Sequence, residues 1–197
     1  EPQNPPPDPT PAPAAAFAPS APAHTRLAFS LDGLEQVPTE AAASAAVEGI
    51  LLARYRYAGF GRAQKNKPVE NITLITSSGD EAAARAGAER GQAYAKATIL
   101  ARDLANTPHS HLSATDLGEL ARKLGEDKGF DVEIFGKREL EDLGCGGLLG
   151  VNAGSVEPPC MIKLTYRPAG ESSGRLALVG KGIMYDSGGI SLKSADP

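Results

Sequence analysis

Lys181, Asp186 and Lys193 stand within thirteen positions of one another near the end of the sequence. They lie in Val179-Gly-Lys-Gly-Ile-Met-Tyr-Asp-Ser-Gly-Gly-Ile-Ser-Leu-Lys193, spaced K-x4-D-x6-K. Glycine lets a backbone pass close to a bound group and adopt φ > 0, and Gly180, Gly182, Gly188 and Gly189 interleave with the charges. The apolar run Leu176–Val179 just before them reads as a buried strand. A charged, glycine-rich loop at the C-terminal end of a strand is where open α/β sheets place their ligands. The residue types suit a metal ion or a polar ligand.

Two other chemistries are tested by spacing. A phosphate loop requires G-x4-G-K followed by Ser or Thr, but Lys181 is followed by Gly182 and no glycine lies five positions before Gly180. Asp186-Ser-Gly-Gly189 also resembles the surroundings of the nucleophile in trypsin-like proteases. Ser187 would then need a histidine base within hydrogen-bond reach. The histidines are His24, His109 and His111; none has the A-A-H-C setting of such enzymes, and the chain reads as α/β.

The fifteen residues Val179–Lys193 resemble the metal-binding segment of the leucyl (cytosol) aminopeptidase family. Three positions depart from the family's usual form: Met184 stands where Thr is usual, Tyr185 where Phe is, and Ser194 where Pro is. The resemblance implies that Lys181 and Asp186 are metal ligands and that Lys193 is the catalytic lysine. It implies two divalent ions, manganese or zinc, which polarise the scissile carbonyl together. Lys181 would ligate as the neutral amine, its proton displaced by the cation. Lys193 would keep its proton and donate to the carbonyl oxygen as charge develops. The implied substrates are peptides with free N-termini, and the implied assembly is a homo-oligomer, a hexamer.

The resemblance runs from about Ala41 to Lys193 and implies five metal ligands, of which this sequence offers positions for two. The remaining two Asp and one Glu are expected downstream, in part within an N-T-D-A-E-G-R string that does not occur here. The sequence opens on Glu1, which is not a natural translation start, and is expected to be a fragment without peptidase activity of its own. The alternative is a non-catalytic relative or truncated product acting through binding or assembly.

Composition narrows the classes further. The formal net charge of −4 argues against a general nucleic-acid binder. Cys145 and Cys160 are too few for a disulfide framework and have no metal-site spacing, which suits reduced thiols in a cytoplasmic protein. No apolar run approaches the roughly 20 residues needed to span a bilayer.

The elements that must position the loop follow in order. Residues 1–25 hold nine of the sixteen prolines and are expected to be disordered, since proline breaks helix and ladder alike and few large apolar side chains offset ordering entropy. Residues 26–80 read as the C-terminal part of an amino-terminal α/β domain. Arg26–Leu31 is a strand, Thr39 N-caps a helix carrying Val47, Ile50, Leu51 and Tyr55 on one face, and Glu70–Thr76 is a strand. Ala45–Tyr57 resembles the family's A-x-x-E-G-x-x-L-x-x-Y motif. Asp80 N-caps a long helix, 81–104, which the resemblance implies links two domains. Ala93, Ala97, Leu100 and Leu104 form one face of it, and Ala83, Gly87, Gly91 and Ala95 a small-residue face that lets another element approach.

The end of that helix, Ala101–Pro108, resembles the family's A-R-D-L-x-N-x-P, with Arg102 and Asp103 read as a charge pair orienting the helix end. Residues 105–197 then read as the incomplete N-terminal part of a catalytic domain with a mixed, partly parallel sheet. Ser113–Asp116 forms a capping box that opens a helix ended by Gly125. Asp131–Phe135 is a strand, Lys137–Leu143 a helix, Gly146–Val151 a buried strand or helix end, and Met161–Tyr166 a strand. Gly150–Pro159 resembles the family's G-V-x-x-G-S-x-x-P-P. His109 and His111 lack acidic or cysteine partners nearby and are not assigned to a metal.

Overall fold

The computed structural model describes residues 12–34, 36–59, 67–76 and 79–184. The chain is α/β and divides into two compact units, 1–106 and 107–197.

In the first unit, β1 (Arg26–Ser30) and β2 (Asn71–Ile75) pair in parallel, with Leu27 opposite Ile72 and Phe29 opposite Leu74. The connection between them carries α2 (Thr39–Ala53), as a parallel pair requires. Leu27, Phe29, Ile72 and Leu74 turn toward the helices, while Arg26, Ala28, Asn71 and Thr73 alternate outward. The core gathers Leu27, Leu31, Ala42, Ala43, Ala46 and Ile50.

Pro38, rather than Thr39, is the N-cap of α2; the Thr39 hydroxyl instead donates to the Asp80 carboxylate at 2.9 Å. That bond ties the start of α2 to the start of α3 (Glu81–Asn106). The buried face of α3 is made of Ala84, Gly87, Gly91 and Ala95. A Cβ at Gly87 would fall within van der Waals distance of the Glu40 carbonyl oxygen, and one at Gly91 would do the same at Ser44. The expected small-residue face is therefore what α2 packs on at Gly87, Gly91 and Ala95, with Ala84 buried in place of the expected Ala83, which is half-buried. Ala93 and Ala97, on the other expected face, are exposed.

The expectation of disorder through residues 1–25 does not hold for Ala12–Ser20, which form α1. Pro13 lies in the first turn, where its missing N–H has no partner to lose; Pro19, inside the last turn, gives up one helix hydrogen bond near the end. Between them Ala14, Ala15, Ala16 and Ala18 favour helix. Ala14 and Ala18 join the core cluster, and Phe17 meets Phe29 with ring centroids 6.2 Å apart.

A buried arginine holds this segment down. Arg54, at the C-cap of α2, is 4% exposed. Its guanidinium donates to the carbonyls of Ala18 (3.1 Å), Ala21 (2.9 Å), Pro22 (3.2 Å), His24 (3.2 Å) and Lys67. Removing the donor leaves several carbonyls without a partner in a half-buried setting. Arg54→Ala is expected to lower the stability of the first unit by about 3 kcal/mol, the upper part of the usual range for one substitution. Arg54→Lys should recover only part, because three ammonium donors cannot reproduce the planar fork. Denaturant midpoints with unchanged slope check this; equal midpoints for all three proteins would contradict it.

In the second unit, β3 (Asp131–Phe135) and β4 (Met161–Thr165) pair antiparallel, Val132 opposite Leu164 and Ile134 opposite Ile162. On the other face the cross-strand pair Glu133–Lys163 forms an ion pair at 2.6 Å. Helix α4 (Ala114–Lys128) packs on the apolar face. It opens with the expected capping box: the Asp116 N–H donates to Ser113 Oγ at 3.2 Å, and Asp116 Oδ2 accepts from the Ser113 N–H at 2.8 Å. These bonds from Ser113 hold the Asp116 carboxyl below the usual carboxylate range.

Gly125 does not end α4. It is buried inside the helix, where a Cβ would lie 2.7 Å from the Phe130 carbonyl oxygen. Gly129, left-handed at φ 74°, is the terminator. Two short helices follow, α5 (Lys137–Asp142) and α6 (Gly146–Asn152). Helix α6 has no buried residue, so the expectation of burial for Gly146–Val151 fails although its helical form is as allowed.

Candidate functional site

The expected loop begins after β4. Residues 174–183 have no regular secondary structure, so the strand expected at Leu176–Val179 is not formed. Leu176 is 86% exposed, Leu178 88% and Val179 99%. A strand needs a neighbour for its N–H and C=O groups and a covered face for its side chains. Among the described residues neither is supplied to this run.

Lys181 follows it, exposed, between Gly180 and Gly182. Asp186 and Lys193, together with Ser187, lie outside the described residues. Among the described residues no group of three or more His, Cys, Asp and Glu could hold a metal ion. The described residues therefore contribute one candidate ligand, Lys181, and do not by themselves fit a metal.

The remaining chemistry-bearing side chains have local roles. His111 Nδ1 lies 2.9 Å from Ser110 Oγ in the loop before α4. Cys145 and Cys160 are both free thiols. Burial pushes the Cys160 thiol up, opposed by the charge of Arg122, which leaves it the less reactive thiol form at neutral pH. A cavity of about 450 Å³ lies beside α5 and the end of α6, lined by Lys137, Glu141, Leu149, Asn152, Val156 and Pro158 among others. Lys181 is not among its lining residues.

Arg102 and Asp103 do orient a helix end, but through Tyr55 and not as a simple pair. The Tyr55 hydroxyl donates to Asp103 Oδ1 at 2.8 Å. Asn106 Nδ2 donates to the same hydroxyl at 3.3 Å and to the Arg102 carbonyl at 2.8 Å. The Arg102 guanidinium sits 5.4 Å from the Tyr55 ring centroid and donates to the Leu52 carbonyl at 3.3 Å. Desolvation, with Asp103 next to it, raises the Tyr55 phenol above its ordinary value. The sequence motif A-R-D-L-x-N marks three of these four residues; Tyr55, some fifty positions earlier, carries no signal that would join it to them.

Comparison with known proteins now adds to the geometry. The chain is 44% identical over 136 residues to a probable cytosol aminopeptidase of Chloroherpeton thalassium, covering 68% of this chain and 27% of that one. Among solved structures, the bottromycin maturation enzyme BotP in complex with Mn is similar at 33% identity and a TM-score of 0.68, over 81% of this chain and 33% of that one. A tomato leucine aminopeptidase mutant shares the fold at a TM-score of 0.72 and 22% identity, over 82% and 34%. The chain spans about a third or less of the length of these relatives. No helix among the described residues is long and apolar enough to cross a membrane. Residues 99–197, which include Lys181, Asp186 and Lys193, match the cytosol aminopeptidase family, catalytic domain, and the chain belongs to that family.

Proposed function

We propose that this chain carries the opening part of the active site of a metal-dependent aminopeptidase that removes N-terminal residues, such as leucine, from peptides. The observation that carries the proposal is the K-x4-D-x6-K spacing in its glycine loop, inside the stretch that matches the family's catalytic domain. The amino-terminal α/β domain (26–80), the linking helix (81–104) and the start of the catalytic domain (105–197) are assigned on the same resemblance. Lys181 and Asp186 are assigned as ligands of two divalent ions, manganese or zinc, and Lys193 as the catalytic lysine. The ions, when bound, would polarise the scissile carbonyl.

The chain's own residues have distinct tasks in this reading. Asp186 offers two carboxylate oxygens and a negative charge. Lys181 offers a neutral amine on a flexible stem between two glycines. Lys193 holds its proton and presents it to the substrate carbonyl oxygen, a charge-assisted hydrogen bond that strengthens as that oxygen becomes negative. Cytoplasmic residence and a homo-oligomeric, hexameric state belong to the same proposal.

The reading also divides the site: residues 1–197 offer positions for two of the five expected ligands. Purified 1–197 is expected to show no turnover of a leucine-anilide substrate with added manganese or zinc. A longer chain continuing into the downstream ligand motif should be active. Turnover by 1–197 alone would overturn the divided site; an inactive longer chain that binds metal would favour the non-catalytic reading.

A further inference from the structure

The buried residues of α3 stop at Ala95, and from Lys96 to Asn106 no residue of the helix is buried. Three more turns nevertheless continue to Asn106, the last residue of the first unit before Thr107 opens the second. Apolar packing on α2 secures the first part of α3; the end, where Ile99, Leu100 and Leu104 are only half-buried, needs a further support. The polar groups around Tyr55 fill that role. Tyr55 lies just past the C-cap of α2, and its hydroxyl and ring engage Asp103, Asn106 and Arg102, one turn of α3. Arg102 also reaches the Leu52 carbonyl, which places a cation at the C-terminal end of α2, where the helix dipole favours it.

We propose that Tyr55 is a clasp that holds the last turns of α3 to the first unit and so sets where the joint before residue 107 begins. Closed, it keeps α3 helical to Asn106. Open, it leaves residues 101–106 held chiefly by helix hydrogen bonds and the Arg102–Leu52 contact, and the joint lengthens toward Ala95. The contacts suit a releasable joint: a few polar bonds at a partly exposed site, each worth far less than a packed core. The inference stands apart from the proposed peptidase activity, because it uses only contacts within the first unit.

Amide hydrogen exchange on purified 1–197 tests it, using Tyr55→Phe, which keeps the ring over Arg102 and deletes the hydroxyl, and Tyr55→Ala, which deletes both. Loss of a hydrogen bond to a charged group predicts exchange about tenfold faster at Asp103–Asn106 in Tyr55→Phe, and faster still in Tyr55→Ala. Amides from Gly87 to Ala95 should keep wild-type rates in both variants. Wild-type exchange at Asp103–Asn106 in both variants would overturn the clasp. So would equal acceleration along the whole of α3, which would make Tyr55 a general support of the unit.

Discussion

Gly87→Ala is expected to destabilise the first unit by several kcal/mol, although alanine is the better helix former. Helix propensity alone argues the opposite sign: alanine in place of an interior glycine should gain about 0.8–1 kcal/mol. The added methyl, however, would overlap the Glu40 carbonyl oxygen and lie 2.9 Å from Ala43 Cβ. The obstacle is mostly backbone of α2, which cannot swing aside as a side-chain tip could. At Gly91 the methyl would overlap the Ser44 carbonyl oxygen and lie 3.0 Å from Ser44 Cα. Overpacking of a tight interface costs about 1–3 kcal/mol or more per site. With both glycines replaced, α2 and α3 must separate along two turns, losing burial of Ala84 and Ala95 on one side and Ala43 on the other. A loss of about 5 kcal/mol reaches the whole stability of a small domain, so Gly87→Ala/Gly91→Ala should lose cooperative unfolding of the first unit. Thermal and denaturant unfolding followed by circular dichroism checks both. A midpoint raised by Gly87→Ala would show that the close approach of α2 and α3 is wrong.

In a chain that carries the complete ligand set, Lys193→Ala is expected to lower turnover by about 10²–10³, the usual cost of removing one positioned donor to a developing oxyanion. Metal content per chain should stay as in the wild type, because in the proposed site Lys193 faces the substrate and touches neither ion. The loss should appear in kcat more than in KM, since the hydrogen bond strengthens with charge that develops only toward the transition state. Lys193→Arg should restore part of the rate, its cation being retained but its planar fork being larger. If Lys193→Ala strips metal along with activity, Lys193 supports the site and not the chemistry.

The elements with strong local signals were legible from the residues. Alternation in Asn71–Ile75 and Asp131–Phe135 marks the strands, and the reciprocal Ser113 and Asp116 groups mark the start of α4. The small face of α3 was legible too, because two interior glycines at a four-residue spacing have a cost that only packing explains. Helix α1 is not legible from proline count: Pro13 sits in the first turn, where it costs no hydrogen bond, and the loss at Pro19 is offset by the core packing of Ala14 and Ala18, which is a tertiary fact. Gly125 has the look of a stop because it follows a helical run, yet the close approach of Phe130 and Val132 is a tertiary fact. Leu176–Val179 has a strand's composition, but composition does not supply the neighbour that turns an apolar run into a ladder. The Arg54 cage had no sequence signal, since its acceptors are backbone carbonyls of other segments. Of the candidate site, Lys181 is seen to be exposed in its glycine loop. The grouping of Lys181 with Asp186 and Lys193 rests on their spacing and on the family match across them.

Metal content per chain, measured by elemental analysis on the complete protein and its Lys181→Ala and Asp186→Ala variants, addresses that grouping directly. Asp186 supplies charge and two oxygens to both ions in the proposed site, and Lys181 completes the shell of one. The account predicts that Asp186→Ala loses bound metal and activity together, and that Lys181→Ala loses part of the metal with most of the activity. Asp186→Ala that keeps both ions and full rate would contradict the assignment of the loop and, with it, the proposed active site.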